Sequence, residues 1–234
     1  MQFLVTNAAR ECGVVNPVIC VIENVKMIED PETNKVYDAQ ITELMDRIAD
    51  IRKEILNTDE VQGFRELLKT IGREVVPAAE RLLNSCEKKK NFPRYGNLVD
   101  AYNIVALRTL HSFGMHDAKE LLNGERTLIF RRASGDEKIV PSYKTKEETI
   151  PQGDFTYGIE VEGRFIPFAW LGKKDVDSDN HKLGQGTTSM LFTAIGNKHT
   201  SMERNMQLCD EVFQLIQLTS SEASMQILKP TFFN

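Results

Sequence analysis

The sequence has 234 residues, of which 41% are hydrophobic, so the chain is long enough to bury a core without a disulfide or a metal ion. Its four cysteines form no C-x-x-C pair, which argues against a zinc knuckle and a redox dithiol and indicates ordinary thiols in a reducing compartment. No apolar run approaches the roughly 20 residues of a membrane span, so we expect a cytoplasmic protein. The formal net charge of −5 excludes general attraction to polyanions, so no DNA partner is expected and any RNA binding must be local.

The first part of the chain is predicted to be mainly helical after an early strand. β-Branched residues predict that strand at 17–27. Apolar residues recur at spacings of three and four over 38–57 and predict an amphipathic helix there. This helix would pack in the core or against a second copy, so the oligomeric state stays open. Two shorter helices are predicted at 61–71 and 77–86, with Gly72 between them as a C-cap.

The second part of the chain is predicted to hold most of the strands. A capping box at Thr200 and Glu203 predicts a helix that runs to about residue 218, and a last edge strand would end before Pro230. Helices followed by strands indicate the α+β class rather than regular βαβ alternation. Apolar, β-branched runs between turn signals predict the strands at 126–132, 138–140, 155–161, 165–169 and 189–195.

Between these parts, residues 95–110 read Y-G-N-L-V-D-A-Y-N-I-V-A-L-R-T-L and predict a helix with an unusual polar face. Asp100 and Asn103 are three residues apart beside an apolar stripe, where one group can contact both. This layout is typical of a helix that lines a pocket. The alternative is that Asp100 caps the helix or bonds nearby backbone amides while Asn103 is solvated.

The segment N-L-V-D-A-Y-N-I-V-A-L, followed by D-A-K-E-L at 117–121, resembles the signature of the tRNA-editing B3/B4 domain in the beta subunit of bacterial phenylalanyl-tRNA synthetase. It is more closely similar to freestanding proteins built around that domain. Supporting matches are G-F-R-E-L-L-K-T-I-G, F-P-R-Y-G-N-L-V-D, G-E-R-T-L-I-F-R-R-A-S-G-D-E and W-L-G-K-K-D-V-D-S-D-N-H-K-L. The resemblance implies an α+β fold with a layered, β-sandwich-like sheet assembly flanked by helices. It also implies a B3/B4-like domain at 92–234 and an N-terminal extension at 1–91, packed into one compact unit.

Editing domains of this family hydrolyse the ester that joins a wrong amino acid to the 3′ end of tRNA. The resemblance therefore implies trans-editing, with the tRNA 3′ end or an aminoacyl-tRNA as partner. This chemistry requires an oriented water, donors for the oxyanion and an acceptor for the substrate ammonium. It needs no cofactor, and no nucleophile elbow is present. The resemblance implies that Asn103 positions water or substrate, that Tyr102 forms a pocket wall and that Asp100 holds the helix and its loop in place.

The sequence departs from the family pattern where a histidine contributes to editing, because that position falls on Gly114. His116 is the candidate to reach the same space, with His111 as a weaker one. An acidic family position falls on Asp179 by ungapped counting, with Asp177 and His181 as near alternatives for binding the substrate ammonium. Thr200 and Ser201 either cap the last helix or shape the amino-acid pocket.

Other interpretations stay open. A calcium loop is excluded because Asn180 and Gly186 stand where the turn glycine and the bidentate glutamate are required, so no metal is expected. Gly114 favours a non-catalytic module that binds RNA or an aminoacyl ligand. An acidic surface favours a hydrolase or binder of small amino-acid derivatives. Three basic clusters would offer local RNA contacts: Lys88 to Lys90 with Arg94, Arg126 with Arg131 and Arg132, and Lys173 with Lys174 and Lys182.

Overall fold

The computed structural model describes residues 1–30, 35–71, 76–119, 122, 126–172 and 175–233. Gly72, residues 120–121 of the motif, Lys173 and Lys174 lie outside the described residues. The described helices are α1 (Asn7–Glu11), α2 (Asp38–Asp46), α3 (Ile48–Ile55), α4 (Asp59–Thr70), α5 (Ala78–Lys89), α6 (Asn97–Thr109) and α7 (Met202–Gln217). No helix in these ranges has the length and apolar character needed to cross a membrane.

The strands form two large sheets. The six-stranded sheet has the order β12 (Thr231–Phe233), β1 (Gln2–Thr6), β4 (Thr127–Arg132), β7 (Phe155–Val161), β8 (Arg164–Leu171) and β9 (Asp175–Asp177). The four-stranded sheet has the order β11 (Ser224–Leu228), β2 (Val18–Glu23), β10 (Ser189–Ala194) and β3 (Phe113–Asp117), with every pair antiparallel. A short ribbon pairs β5 (Lys138–Ile139) with β6 (Glu148–Thr149).

The four-stranded sheet is the middle layer of the molecule, as the alternation along β2 demonstrates. Cys20 and Ile22 pack in the core formed with the helices, whereas Ile19 and Val21 pack in a second core shared with the six-stranded sheet. Successive side chains of a strand point to opposite faces, so a strand buried on both faces must be apolar at every position. The resulting helix, sheet and sheet layers confirm the predicted α+β class and its layered sheet assembly.

The first strands of the chain belong to both sheets. β1 lies between β12 and β4, and β2 lies between β11 and β10. The domain boundary at residue 91 stays a prediction, but these strands contribute hydrogen bonds to the same sheets as the C-terminal part of the chain.

Several predicted elements differ from the structure in extent. The helix predicted over 38–57 is interrupted at Arg47, whose φ of −97° and ψ of 9° separate α2 from α3. The apolar spacing continues across this break, and neither glycine nor proline signals it. The segment that contains His116, expected to be a loop, is strand β3, and its burial between neighbours overrides its weak strand pattern.

Candidate functional site

Helix α6 is fixed at its first residue by a buried amide. The Asn97 side chain donates to the Lys26 carbonyl at 2.8 Å and to Thr219 Oγ1 at 2.7 Å, and it accepts from the Ile28 amide at 2.7 Å. Gly96, with a φ of +117°, precedes it in a conformation that side chains rarely adopt. The start of α6 is therefore held by hydrogen bonds to two distant chain segments.

Asp100 holds the loop that precedes α6. Its buried carboxylate accepts from Arg94 Nε at 2.7 Å and from the Tyr95 amide at 2.9 Å. Burial raises the pKa of Asp100, and the hydrogen bonds from Tyr95 and Arg94 oppose that rise. Arg94 also pairs with Asp38 at 2.9 Å, which ties the loop to α2. This geometry supports a structural role for Asp100, whose side chain faces the loop.

A groove beside α6 has two halves. The inner half is a cavity of about 230 Å³, and the outer half has a volume of about 430 Å³. Both halves are lined by the same five residues at their junction: Arg81, Leu82, Tyr102, Asn103 and Asp177. The sequence-predicted residues Tyr102, Asn103 and Asp177 are therefore brought together, although α6 and β9 are more than 60 residues apart in sequence.

Asn103 and Tyr102 give the junction an amide and a phenol. Within the part of the chain that the structure describes, the Asn103 side chain has no hydrogen-bond partner, so its donor and acceptor are available to a ligand. The pKa of Tyr102 is raised by burial first and by the nearby Asp177 carboxylate second, so its hydroxyl is neutral at physiological pH.

Asp177 supplies the carboxylate of the junction. Burial raises its pKa to about 7, with a further contribution from Asp175, while Arg81 opposes the rise. The Asp177 side chain nevertheless keeps 52% of its surface accessible, and water that reaches it counteracts part of this desolvation. Arg81 on α5 pairs with Asp175 Oδ2 at 2.6 Å, so one cation faces two carboxylates at this edge of the groove.

His116 lies behind the inner half of the groove, where it contacts Tyr157. Its Nε2 is 2.7 Å from Tyr157 Oη and 3.8 Å from Asp177 Oδ1. Burial lowers the pKa of His116 to about 3, and His181 lowers it further, so the imidazole is neutral. Tyr157 lines the inner half, whereas His116 does not, and His116 therefore reaches the groove through Tyr157.

Gly114 also lines the inner half, at the position where the resemblance expects a histidine. A Cβ at this position would collide with Tyr157 Oη and would lie 3.5 Å from His116 Nε2. The Tyr157 hydroxyl thus occupies the space into which a side chain at position 114 would project. A histidine at 114 is incompatible with this arrangement of Tyr157.

A second histidine, His111, lines the inner half of the groove. His111 is fully buried and its Nδ1 lies 3.2 Å from Glu60 Oε1. Burial lowers the pKa of His111, and the contact with Glu60 acts in the opposite direction. Its ring lies between Phe64 and Phe113, at centroid distances of 4.7 and 4.9 Å. This packing makes His111 part of the cavity wall.

Asp179 and His181 are placed differently from Asp177. Asp179 Oδ1 accepts from the Tyr143 amide at 2.8 Å and from Lys182 Nζ at 2.9 Å, and both contacts lower its pKa. The His181 ring packs 4.3 Å from the Phe168 ring and is buried. Neither side chain lines the described groove. The ungapped count therefore selects a residue that anchors a loop, and the strand residue two positions earlier faces the groove.

Thr200 and Ser201 lie at the start of α7 and do not line the described groove. Ser201, rather than Thr200, is the N-cap, and its Oγ accepts from the Arg204 amide at 3.0 Å. Thr200 is buried, and its carbonyl accepts from Asn16 Nδ2 at 2.9 Å. This geometry supports the capping interpretation for Ser201, whereas the Thr200 hydroxyl has no hydrogen-bond partner among the described residues and neither caps the helix nor lines the groove.

Sequence reasoning missed Arg81, Tyr157 and two exposed tyrosines of the outer half. Tyr95 is 54% exposed and Tyr143 is 83% exposed. The Lys182 ammonium lies 5.5 Å from the Tyr143 ring centroid. An alternating strand pattern marks Tyr157 as inward-facing, but nothing in its own segment relates it to α6 or β3.

The basic clusters are partly neutralised by carboxylates. Arg94 pairs with Asp38 and Asp100, Arg131 pairs with Glu137 at 2.6 Å, and Lys182 pairs with Asp179. The predicted clusters therefore contribute less positive potential at the groove than their residue counts indicate.

Comparisons with known proteins agree with this architecture. A sequence model of the B3/4 domain family matches residues 64–201. The structure is similar to that of an N-terminal fragment of the phenylalanyl-tRNA synthetase beta subunit from Pyrococcus horikoshii, with a TM-score of 0.51 and 10% sequence identity. The alignment covers 99% of this chain and 52% of that one, so the chain spans about half the length of the fragment. A search of characterised protein sequences gave no match.

Proposed function

The chain belongs to the B3/4 domain family, and we propose that its groove binds the aminoacylated 3′ end of tRNA and hydrolyses the aminoacyl ester in trans. The family membership confirms the resemblance carried by the motif in α6 and relates the chain to a domain of aminoacyl-tRNA synthetases. The observation that carries the proposal is the two-part groove, whose halves meet at Asn103 and Asp177.

The inner half suits the amino-acid side chain. Its wall includes apolar groups from α4, α5, α6 and β3, and it is large enough for an aromatic ring, since a cavity of about 150 Å³ holds benzene. The apolar wall is formed by Phe64, Leu67, Leu68, Ala79, Leu82, Ala106, Phe113 and Ile195. Such a wall discriminates side chains by size, at a few kcal/mol for each methylene group.

The junction suits the reacting groups. A carboxylate that accepts a charge-assisted hydrogen bond from an ammonium group fixes the orientation of the amino acid, and we assign this role to Asp177. The Asn103 amide is placed to hold a water or the ester carbonyl, because it has no partner among the described residues. An aminoacyl ester is an activated substrate, so orientation of water and carbonyl supplies much of the required acceleration.

The outer half suits the terminal nucleoside. Exposed aromatic rings stack on bases with little sequence preference, and each stacked base contributes about 1–3 kcal/mol. Tyr95 and Tyr143 provide two such rings, and Lys182 provides a cation beside the second. In this proposal Asp179 acts indirectly, because it fixes the backbone of Tyr143 and the ammonium of Lys182.

The experiment is deacylation of a panel of correctly and incorrectly charged tRNAs, with release of free amino acid followed over time. We expect the wild-type protein to hydrolyse a subset of mischarged tRNAs, and Asn103→Ala and Asp177→Asn each to lower kcat/KM by at least tenfold. Asn57→Ala and Asp46→Asn, which change exposed residues away from the groove, are the matched controls. Full activity of the Asn103→Ala, Asp177→Asn double variant would refute the assignment of the groove.

A second candidate function is hydrolysis of small aminoacyl esters that carry no tRNA. It is favoured by the net charge of −5 and by the neutralised basic clusters. Phosphate contacts make RNA binding strongly dependent on salt. A kcat/KM for aminoacyl-tRNA that falls steeply between about 50 and 200 mM salt supports the tRNA substrate. Equal kcat/KM values for aminoacyl-tRNA and a minimal aminoacyl ester, with no salt dependence, support the small ester.

A further inference from the structure

Tyr157 is a polar residue of the inner half that the proposed reaction has not yet used. It lies on β7 of the six-stranded sheet, and its hydroxyl contacts His116 on β3 of the four-stranded sheet. The hydroxyl lies in the space left by Gly114, beside the junction that Asp177 helps to form. The two sheets thus place a phenol beside the junction to which we assign the reacting ester.

The unpaired ring nitrogen of His116 indicates which of the two ring nitrogens carries the proton. His116 Nδ1 is buried and has no hydrogen-bond partner among the described residues. A buried N–H without an acceptor is rarer than a buried acceptor without a donor, so we assign the proton of the neutral ring to Nε2. Nε2–H then donates to Tyr157 Oη across the 2.7 Å contact. The buried hydroxyl of Thr193 also interacts with the Tyr157 hydroxyl, and it too can donate to Oη. With both neighbours donating, the hydroxyl hydrogen of Tyr157 is left for another acceptor.

We propose that Tyr157 donates this hydrogen bond to the carbonyl oxygen of the bound aminoacyl ester, and that His116 is the positioning residue that orients the Tyr157 hydroxyl. The proposal rests on the ester hydrolysis proposed above and adds a catalytic residue to it. Tyr157 keeps its proton throughout, and burial raises the pKa of its hydroxyl well above the ordinary value, which keeps the donor intact.

The balanced step is the following. The water oxygen forms a bond to the carbonyl carbon, and the C=O π pair moves to the carbonyl oxygen, which accepts the hydrogen bond from Tyr157. Collapse of this tetrahedral oxyanion breaks the bond between the carbon and the ribose 3′-oxygen. One proton of the water ends on that 3′-oxygen, and the other ends on the new carboxyl group and ionises into solvent. The products are a free amino acid and a tRNA with a 3′-hydroxyl group.

The test begins with Tyr157→Phe, which removes only the hydroxyl. Loss of one oxyanion donor lowers kcat by about 100-fold or more, and we expect KM to change by less than about threefold. Tyr37→Phe is the matched control, because the Tyr37 hydroxyl is equally buried but donates to the Leu215 carbonyl at 2.8 Å in the helical core. The kcat of Tyr37→Phe should stay within about twofold of the wild-type value.

Variants of His116 separate positioning from packing. His116→Gln retains an N–H donor and should keep most of the activity, whereas His116→Leu should lower kcat about as far as Tyr157→Phe. Residues that act as one unit are not additive, so the double variant His116→Leu, Tyr157→Phe should be no slower than Tyr157→Phe alone. Additive losses would overturn the positioning role, and so would equal activities of His116→Gln and His116→Leu.

A binding experiment separates failure of this inference from failure of the proposed function. The probe is an aminoalkylphosphonate ester of adenosine, whose tetrahedral oxygens mimic the oxyanion. Tyr157→Phe should weaken its binding at least tenfold, and Tyr37→Phe should not. Turnover and phosphonate binding of folded Tyr157→Phe within twofold of wild type overturn the role of Tyr157 alone. An inactive wild-type protein overturns the proposed hydrolysis, and absence of phosphonate binding as well overturns both.

Discussion

The pH dependence of the reaction should report the ionisation of Asp177. Burial and the neighbouring Asp175 raise the pKa of this carboxyl group to about 7, against the opposing effect of Arg81. Only the ionised form binds the substrate ammonium strongly. The ionised fraction of Asp177 rises from about one-tenth at pH 6 to about nine-tenths at pH 8, while about half of the substrate α-amino groups lose their proton by pH 8. We therefore expect kcat/KM of the wild-type protein to rise about fivefold between these values.

Asp177→Asn should remove the rise of kcat/KM on the acid side of the profile and should lower the maximum value of kcat/KM. A hydrogen bond to a charged group contributes about 1.5–3 kcal/mol, which corresponds to a loss of about 10- to 100-fold. The substrate α-amino group titrates near pH 8, so an alkaline decline belongs to the substrate and should persist in the variant. The variant profile should therefore be flat on the acid side and fall only as the substrate α-amino group loses its proton around pH 8.

The assay is kcat/KM for deacylation at intervals between pH 5.5 and 8.5, at constant ionic strength. Asp179→Asn is the control, because the contacts with Lys182 and the Tyr143 amide lower the pKa of Asp179 below this range. An acid limb near pH 7 that survives in Asp177→Asn, or one that disappears in Asp179→Asn, would refute the assignment of the ionisation to Asp177.

The same ionisation links Asp177 to stability. Its folded pKa of about 7 exceeds the ordinary value of 3.8, so the folded state binds the proton more tightly than the unfolded state. The associated stability is fully present below pH 3.8 and is lost as the pH rises to about 7. Asp177→Asn should consequently be more stable than the wild-type protein at pH 8 and similar to it at pH 4, as measured by urea unfolding.

Three further predictions concern the groove and the loop before α6. Where stability is measured, the fluorescence of the buried Trp170 follows unfolding. Gly114→Ala should lower the free energy of unfolding by about 1–3 kcal/mol through collision with the Tyr157 hydroxyl, and adding Tyr157→Phe should restore part of this loss; no recovery would contradict the collision. Asp100→Ala should cost about 1.5–3 kcal/mol because it removes the acceptor of the Tyr95 amide and one of the two carboxylates that pair with Arg94, and a cost below about 1 kcal/mol would contradict the anchoring role. Tyr143→Ala should weaken binding of an adenosine-bearing ester analogue by about 10- to 100-fold without changing the unfolding curve, and unchanged affinity would exclude stacking on this ring.

The spacing of apolar residues predicted those strands in which the buried positions are also the apolar positions of the segment itself. β7 begins and ends where the alternating pattern predicts, at Phe155 and Val161, and β10 is one residue shorter than predicted. The pattern failed where the tertiary environment decides. The two charged residues of β9, Asp175 and Asp177, suggested a loop, but pairing of their backbone with β8 makes them a strand. No propensity within those three residues signals this pairing.

The missed strand explains which acid faces the groove. Side chains alternate along β9, so Asp175 and Asp177 lie on one face and line the inner half, while Val176 on the other face packs near Trp170. Beyond Asp177 the chain enters a 3-10 turn that contains Asp179. Counting along the sequence could not distinguish a strand residue from a turn residue two positions later.

The same reasoning applies to the missing histidine. Sequence comparison assigns a role to a position on one strand, whereas the proposed reaction needs a polar group at a point in space. In this chain position 114 carries no side chain, and a hydroxyl from the opposite sheet reaches the point that a Cβ would occupy. His116, two residues along β3 and therefore on the same face, contacts that hydroxyl instead of the groove. The contact between Tyr157 and His116 thus requires glycine at position 114. The interpretation of Gly114 as the loss of a catalytic residue considers only β3 and leaves out β7, which builds the same wall.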